Sequence, residues 1–141
     1  MTAEFPRLLV ATEFPPNASG GGPAVARQML KDWPVEKLFW WSCLAERDQR
    51  FGQKVCAHRV ATIPPKLYPN ERWAHQRAWL LENFWSRWAA GQLRAALAEF
   101  QPEVIWVIPH AWAIAPLVNV LLDSQTGFHT TVQDFVTGSG Y

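Results

Sequence analysis

Charge is scarce in this chain of 141 residues: Asp, Glu, Lys and Arg supply 18% of them, against about 25% in an average globular domain. Disordered segments show the opposite balance, rich in charge and poor in apolar groups, so the shortage excludes a linker or an unfolded tail. Neither sign of charge prevails. Thirteen basic and twelve acidic residues leave +1, whereas a nucleic-acid-binding domain needs a basic excess to neutralise phosphates. No nucleic-acid partner is expected. The only cysteines are Cys43 and Cys56, with no Cys-x-x-Cys and no paired histidine spacing. A zinc site is therefore unsupported, no metal is expected, and two free thiols suit a reducing compartment. No window approaches the ~20 consecutive apolar residues that cross a bilayer. Glu4, Pro6 and Arg7 precede an apolar run too short for a signal peptide. The expected location is the cytoplasm, with peripheral contact at the inner face of the membrane left open.

What the chain has in plenty is tryptophan, nine of them, within a 49% hydrophobic composition. Its length suits one domain, residues 1–141, with enough chain to bury a core. Leu8-Leu9-Val10-Ala11 is a continuous apolar run, the pattern of a strand buried on both faces in a parallel sheet. Pro15 and Pro16 stop it. Asn17 to Pro23 forms a glycine-rich loop, and a helix is expected over 24–32, with Val25, Met29 and Trp33 recurring every fourth residue. Leu38-Phe39-Trp40-Trp41 predicts a second strand and His58 to Ile63 a weaker third.

Asn70 suits an N-cap. The three-and-four spacing of Leu81, Trp85, Trp88, Ala89, Leu93, Ala96, Leu97 and Phe100 then predicts one long helix over 71–99. Gly91 either kinks it or is tolerated, and Gln101-Pro102 ends it. Val104 to Ile108 is the clearest buried strand, a helix follows through Pro116, Leu117, Val120 and Leu121, and Phe128 to Gln133 reads as a last short strand. Strand and helix alternate throughout. The expected fold is α/β, a Rossmann-like, doubly wound and mostly parallel sheet of about five strands with right-handed crossovers.

In such a sheet ligands bind beyond the C-terminal ends of the strands. The residues expected there are Glu13, Asn17 and the glycines after the first strand, His110 and Trp112 after the fourth, and Asp134 after the fifth. Gly20-Gly21-Gly22 ahead of a helix can bind an anion, because small residues admit close approach and the first N–H groups are partly positive. The alternative is a tight turn without ligand. The loop is no Walker A, lacking Gly-Lys-Ser/Thr, and Val25 stands at the third glycine of a dinucleotide fingerprint, which disfavours a nicotinamide cofactor. His110 can contact substrate or cap the next helix, and Asp134 can bind sugar hydroxyls or cap. No Ser/His/Asp set has a spacing that singles it out, so no catalytic residue is assigned. Trp73, Trp79, Trp85 and Trp88 interleave with Arg72, Arg77, Arg87 and Arg94 on the long helix, while Glu71, Glu82 and Glu99 nearly balance them. A membrane interface is one reading. Core packing on one face with a partner surface on the other is the favoured one, since no basic cluster dominates.

Taken together, Leu8-Leu9-Val10-Ala11-Thr12-Glu13-Phe14-Pro15-Pro16, the triple glycine with Pro23, and Gln101-Pro102-Glu103-Val104-Ile105-Trp106-Val107 resemble the N-terminal half of GT-B fold glycosyltransferases of the retaining family-4 type. The resemblance spans nearly the whole chain. It implies an acceptor-side domain that works with a nucleotide-binding second domain or subunit. Together they would move a sugar from a nucleotide-sugar donor to an acceptor such as a glycan or lipid, without metal or other cofactor. Gly20, Gly21 and Gly22 would lie near the donor phosphates, and His110 and Asp134 would line the acceptor side. Gln133 stands where many members carry a histidine. The chain ends before a Glu-x7-Glu nucleotide domain, so it reads as an incomplete GT-B N-terminal domain, not expected to catalyse transfer alone because donor and acceptor must be clasped together. The competing reading is a non-enzymatic α/β module that docks a protein or membrane through its Trp-rich helix. A receiver-like signalling domain fits poorly, because Ile63-Pro64 stands where an acidic residue is needed.

Overall fold

The computed structural model describes residues 4–16, 21–43, 56–67, 72–108, 113–122 and 128–130. Strand β1 (Leu8–Thr12) leads to helix α1 (Gly21–Met29) and strand β2 (Leu38–Ser42). Strand β3 (Ala57–Val60) is followed by α2 (Ala74–Leu80), a π-helical turn over Leu81–Trp85, and α3 (Ser86–Phe100). Strand β4 (Val104–Val107), helix α4 (Ile114–Leu121) and a three-residue strand β5 (Phe128–Thr130) complete the order.

The sheet is parallel throughout. Strands β3, β2, β1 and β4 lie side by side in that order, and Phe128–Thr130 pairs with the outer side of β4. Every residue of β1 and β2 is buried, as the unbroken apolar runs require. Side chains alternate between faces. Leu9, Ala11, Phe39, Trp41, Ile105 and Val107 pack under α3 and α4, while Leu8, Val10, Leu38, Trp40 and Trp106 pack with Ala26 of α1 and Leu30 just after it. This division follows from handedness. The step from β1 to β2 runs one way along the sheet and the steps β3 to β4 and β4 to β5 run the other, so right-handed crossovers put α1 on one face and α3 and α4 on the opposite one. The result is an α/β doubly wound sheet of Rossmann-like order.

Several local expectations are corrected. Helix α1 starts at Gly21 and ends at Met29, earlier than 24–32, and it buries Pro23 and Ala26 while Val25 and Met29 face outward. The small residues win the inner face because they let the helix approach the sheet closely. The long helix begins at Ala74, not after Asn70, which lies outside the described residues. Its N-cap is Trp73, with left-handed φ of 66° and no side-chain cap. Gly91 sits in regular helix, and the irregularity falls at Leu81–Trp85 instead. The stop at Gln101 is as expected: its backbone turns left-handed, φ 49°, and its N–H closes on the Leu97 carbonyl at 2.8 Å.

At the N-terminal edge of the sheet, the Arg7 N–H donates to Glu103 Oε2 at 2.8 Å, and its guanidinium lies over the Phe100 ring and donates to the Phe100 carbonyl. Neither cysteine is in a disulfide and both are buried, Cys43 in the α3–α4 core and Cys56 in the α1 core.

Candidate functional site

Because all strands run parallel, their C-terminal ends form one edge, and the strand order reverses between β1 and β4 at that edge. Such a reversal of strand order is where open α/β sheets generally bind their ligands. Ile108 prolongs the ladder by donating its N–H to the Ala11 carbonyl at 3.0 Å. The end of β4 at Ile108 therefore lies beside the end of β1.

The turn after β1 is held from two sides. The Thr12 hydroxyl donates to the Phe14 carbonyl at 2.6 Å, and the Trp40 indole N–H donates to Thr12 Oγ1 at 2.8 Å and to the Phe14 carbonyl at 3.2 Å. From α1, the Arg27 guanidinium donates to the Pro16 carbonyl at 3.0 Å. Phe14-Pro15-Pro16 is thus fixed by side chains of β2 and α1, and Pro15 and Pro16 are buried.

Glu13 lies at the end of β1 and is only 7% exposed. Its carbonyl accepts the Cys43 N–H at 3.3 Å and faces the Cys43 thiol at 3.9 Å, which joins the ends of β1 and β2. Burial, and after it the Glu13 charge, pushes the Cys43 thiol far above its ordinary value. The thiol stays protonated and is a packing group, not a nucleophile. A buried carboxylate at a ligand edge is suited to accepting hydrogen bonds from hydroxyl groups.

Gly21 and Gly22 are the first two residues of α1 itself and not its preceding loop. A Cβ on Gly21 would meet no heavy atom of the described residues within 4 Å, so packing does not demand glycine there. The first turn of α1 supplies N–H groups without intrahelical partners and the positive end of the helix dipole. The structure therefore brings Glu13, Gly21 and Gly22 to the strand-end side of the molecule. Asn17, Gly20, His110, Trp112 and Asp134 lie outside the described residues, as does Gln133.

Ser42, in register with Thr12 at the end of β2, escaped the sequence reading. It is fully buried with its hydroxyl unpartnered, and the same is true of the neighbouring Trp41 indole N–H. The signal was present: a polar residue closing an apolar strand invites the question asked of His110. Arg27 was missed because a surface arginine on a helix carries no positional mark.

Among the described residues no group of three His, Cys, Asp or Glu side chains is arranged to hold a metal ion, and no helix is long and apolar enough to cross a membrane. A shallow open depression of about 470 Å3 lies elsewhere, lined by His75, Gln76, Trp79 and Leu80 of α2. Set against known proteins, the chain is matched by no family model, no curated sequence and no solved structure.

Proposed function

We propose that this domain is the acceptor-side half of a glycosyltransferase of GT-B type, with the five-strand sheet of such a half. It works with a nucleotide-binding second domain or subunit that brings the sugar donor. The observation that carries the reading is the reversal of strand order between β1 and β4, with buried Glu13 at the end of β1 and a glycine-opened helix following from it. A carboxylate that accepts from sugar hydroxyls and a helix start that favours phosphate are the two chemistries that transfer from a nucleotide-sugar requires on this side. Neither chemistry breaks a glycosidic bond alone. The domain holds and orients, and the reaction needs donor and acceptor closed upon one another.

The test is reconstitution. The chain is mixed with labelled nucleotide-sugars and a panel of glycan and lipid-linked acceptors, with and without a nucleotide-binding domain. The chain alone should bind nucleotide-sugar weakly or not at all and transfer nothing, whereas the pair should transfer. Glu13→Gln should lower transfer by about tenfold, the loss of one charge-assisted hydrogen bond. Absence of transfer from every sugar donor in the reconstituted pair would end the reading.

A further inference from the structure

Helix α2, the π turn and α3 run without a break from Ala74 to Phe100. Twenty-seven residues make a rod of about 40 Å, while a five-residue strand spans only about 17 Å. The rod outreaches the sheet, and burial shows at which end. Helix α3 buries Ala89, Ala90, Leu93 and Ala96, and Phe100 at its end meets Arg7 at the N-terminal edge. Leu81 and Trp85 of the π turn pack with Ala61 and Ile63 just past β3, where the Trp85 indole N–H donates to the Thr62 carbonyl at 3.2 Å. Helix α2 buries nothing. It overhangs the C-terminal edge of the sheet, the edge that carries Glu13.

The outward side of this overhang is aromatic. Trp73, Trp79, Phe84 and Trp88 are 59%, 56%, 60% and 50% exposed. The π turn joins two of them. Side chains five apart on a regular α-helix diverge by about 140°, yet Trp79 and Phe84 meet edge to face with centroids 5.6 Å apart. The wider turn brings them together while it drives Trp85 inward, and Trp88 follows one turn after Phe84. Positive charge accompanies the rings. Arg72 and Arg87 are exposed in this stretch, Lys66 is exposed on the segment before it, and Glu82 is the one acid among the described residues from 72 to 88. The third acid of the sequence reading, Glu99, is engaged by Arg59 at 2.7 Å near the far end of α3. Glu71, beside Arg72 in the sequence, is a further acid, and over 66–88 Lys66, Arg72, Arg77 and Arg87 outnumber Glu71 and Glu82 by four to two.

We propose that the overhanging α2 and π turn dock onto an anionic lipid bilayer, the indole and phenyl rings entering the headgroup region and Lys66, Arg72 and Arg87 meeting its phosphates. Tryptophan favours that boundary because its ring is apolar and its N–H remains hydrated. Scattered cations beside it add attraction to acidic lipids. The contact would bring the strand-end edge toward the membrane. This proposal does not rest on the transferase reading, since it concerns a different surface and a different ligand.

Co-sedimentation of the full chain with phosphatidylglycerol-containing and pure phosphatidylcholine vesicles tests it, with light scattering on the lipid-free protein. Binding to the anionic vesicles, weakened by added salt, is expected. The variant W79A/F84A/W88A should lose about tenfold or more of that binding. K66Q/R72Q/R87Q, which leaves the rings in place, should bind neutral and anionic vesicles nearly alike, and I114A/V118A on α4 should bind as the parent does. No binding, equal binding by the aromatic variant, or a preference for acidic lipid that survives K66Q/R72Q/R87Q would overturn the proposal. So would a lipid-free dimer abolished by W79A/F84A/W88A in a protein that ignores vesicles.

Discussion

Trp40 and Trp41 are adjacent, both fully buried, and point to opposite faces of the sheet. They differ in one respect. The Trp40 N–H has two acceptors, whereas the Trp41 N–H has none. Replacing either by Phe removes similar volume, but Trp40→Phe also takes the indole donor from Thr12 Oγ1 and from the Phe14 carbonyl, leaving the turn to the Thr12 hydroxyl. Trp41→Phe relieves an unpaired donor instead. Urea unfolding should find Trp40→Phe the more destabilising of the two, by about 1–2 kcal/mol. Cys43 gives a prediction in pH. Its folded value lies above the 9.0 of a free thiol, so at alkaline pH the native state keeps a proton that the unfolded state has lost. Stability is full below pH 9 and declines as pH rises beyond it. Urea midpoints between pH 8 and pH 10 should fall more steeply for the parent than for Cys43→Ala.

Among the elements, the long helix offers the sharpest tests. Gly91 lies exposed in regular α-helix, and a Cβ there would meet no heavy atom of the described residues within 4 Å. Gly91→Ala should raise stability by about 1 kcal/mol, read as a higher urea midpoint at constant slope. Gln101 holds a left-handed conformation that glycine adopts without cost. Gln101→Gly should therefore stabilise, by about 1 kcal/mol. The existence of this helix and its end at Gln101-Pro102 were legible in the chain, since apolar spacing and proline act locally. Its start was not. Asn70 has the chemistry of a cap, but the helix begins at Ala74 behind an uncapped Trp73. The π turn was equally hidden: it shifts the register by one residue, and only packing of Leu81 and Trp85 against the segment after β3 selects it. Val25 and Met29 misled for a related reason. Four-residue spacing marks a stripe on a helix but does not say which stripe faces the sheet.

At the scale of the molecule, the alternating runs were enough to anticipate a parallel α/β sheet, because a strand buried on both faces must be apolar throughout. The strand order and the two-sided placement of helices follow once handedness is imposed. Of the residues expected at the strand ends, the placement of Glu13 after a buried strand and of Gly21 and Gly22 at a helix start could be read from the sequence. Ser42 and Arg27 became visible only through burial and hydrogen bonding. The central claim is that sugar ligands bind at the C-terminal edge of the sheet, where the strand order reverses between β1 and β4. Backbone amide NMR of the chain titrated with glycans at millimolar concentration tests it most directly. Saturable shifts gathered at Glu13, Phe14, Gly21, Gly22 and Ile108 are predicted. Shifts gathered instead at the opposite edge, around Arg7, Glu103 and Val104, or none with any glycan, would contradict it.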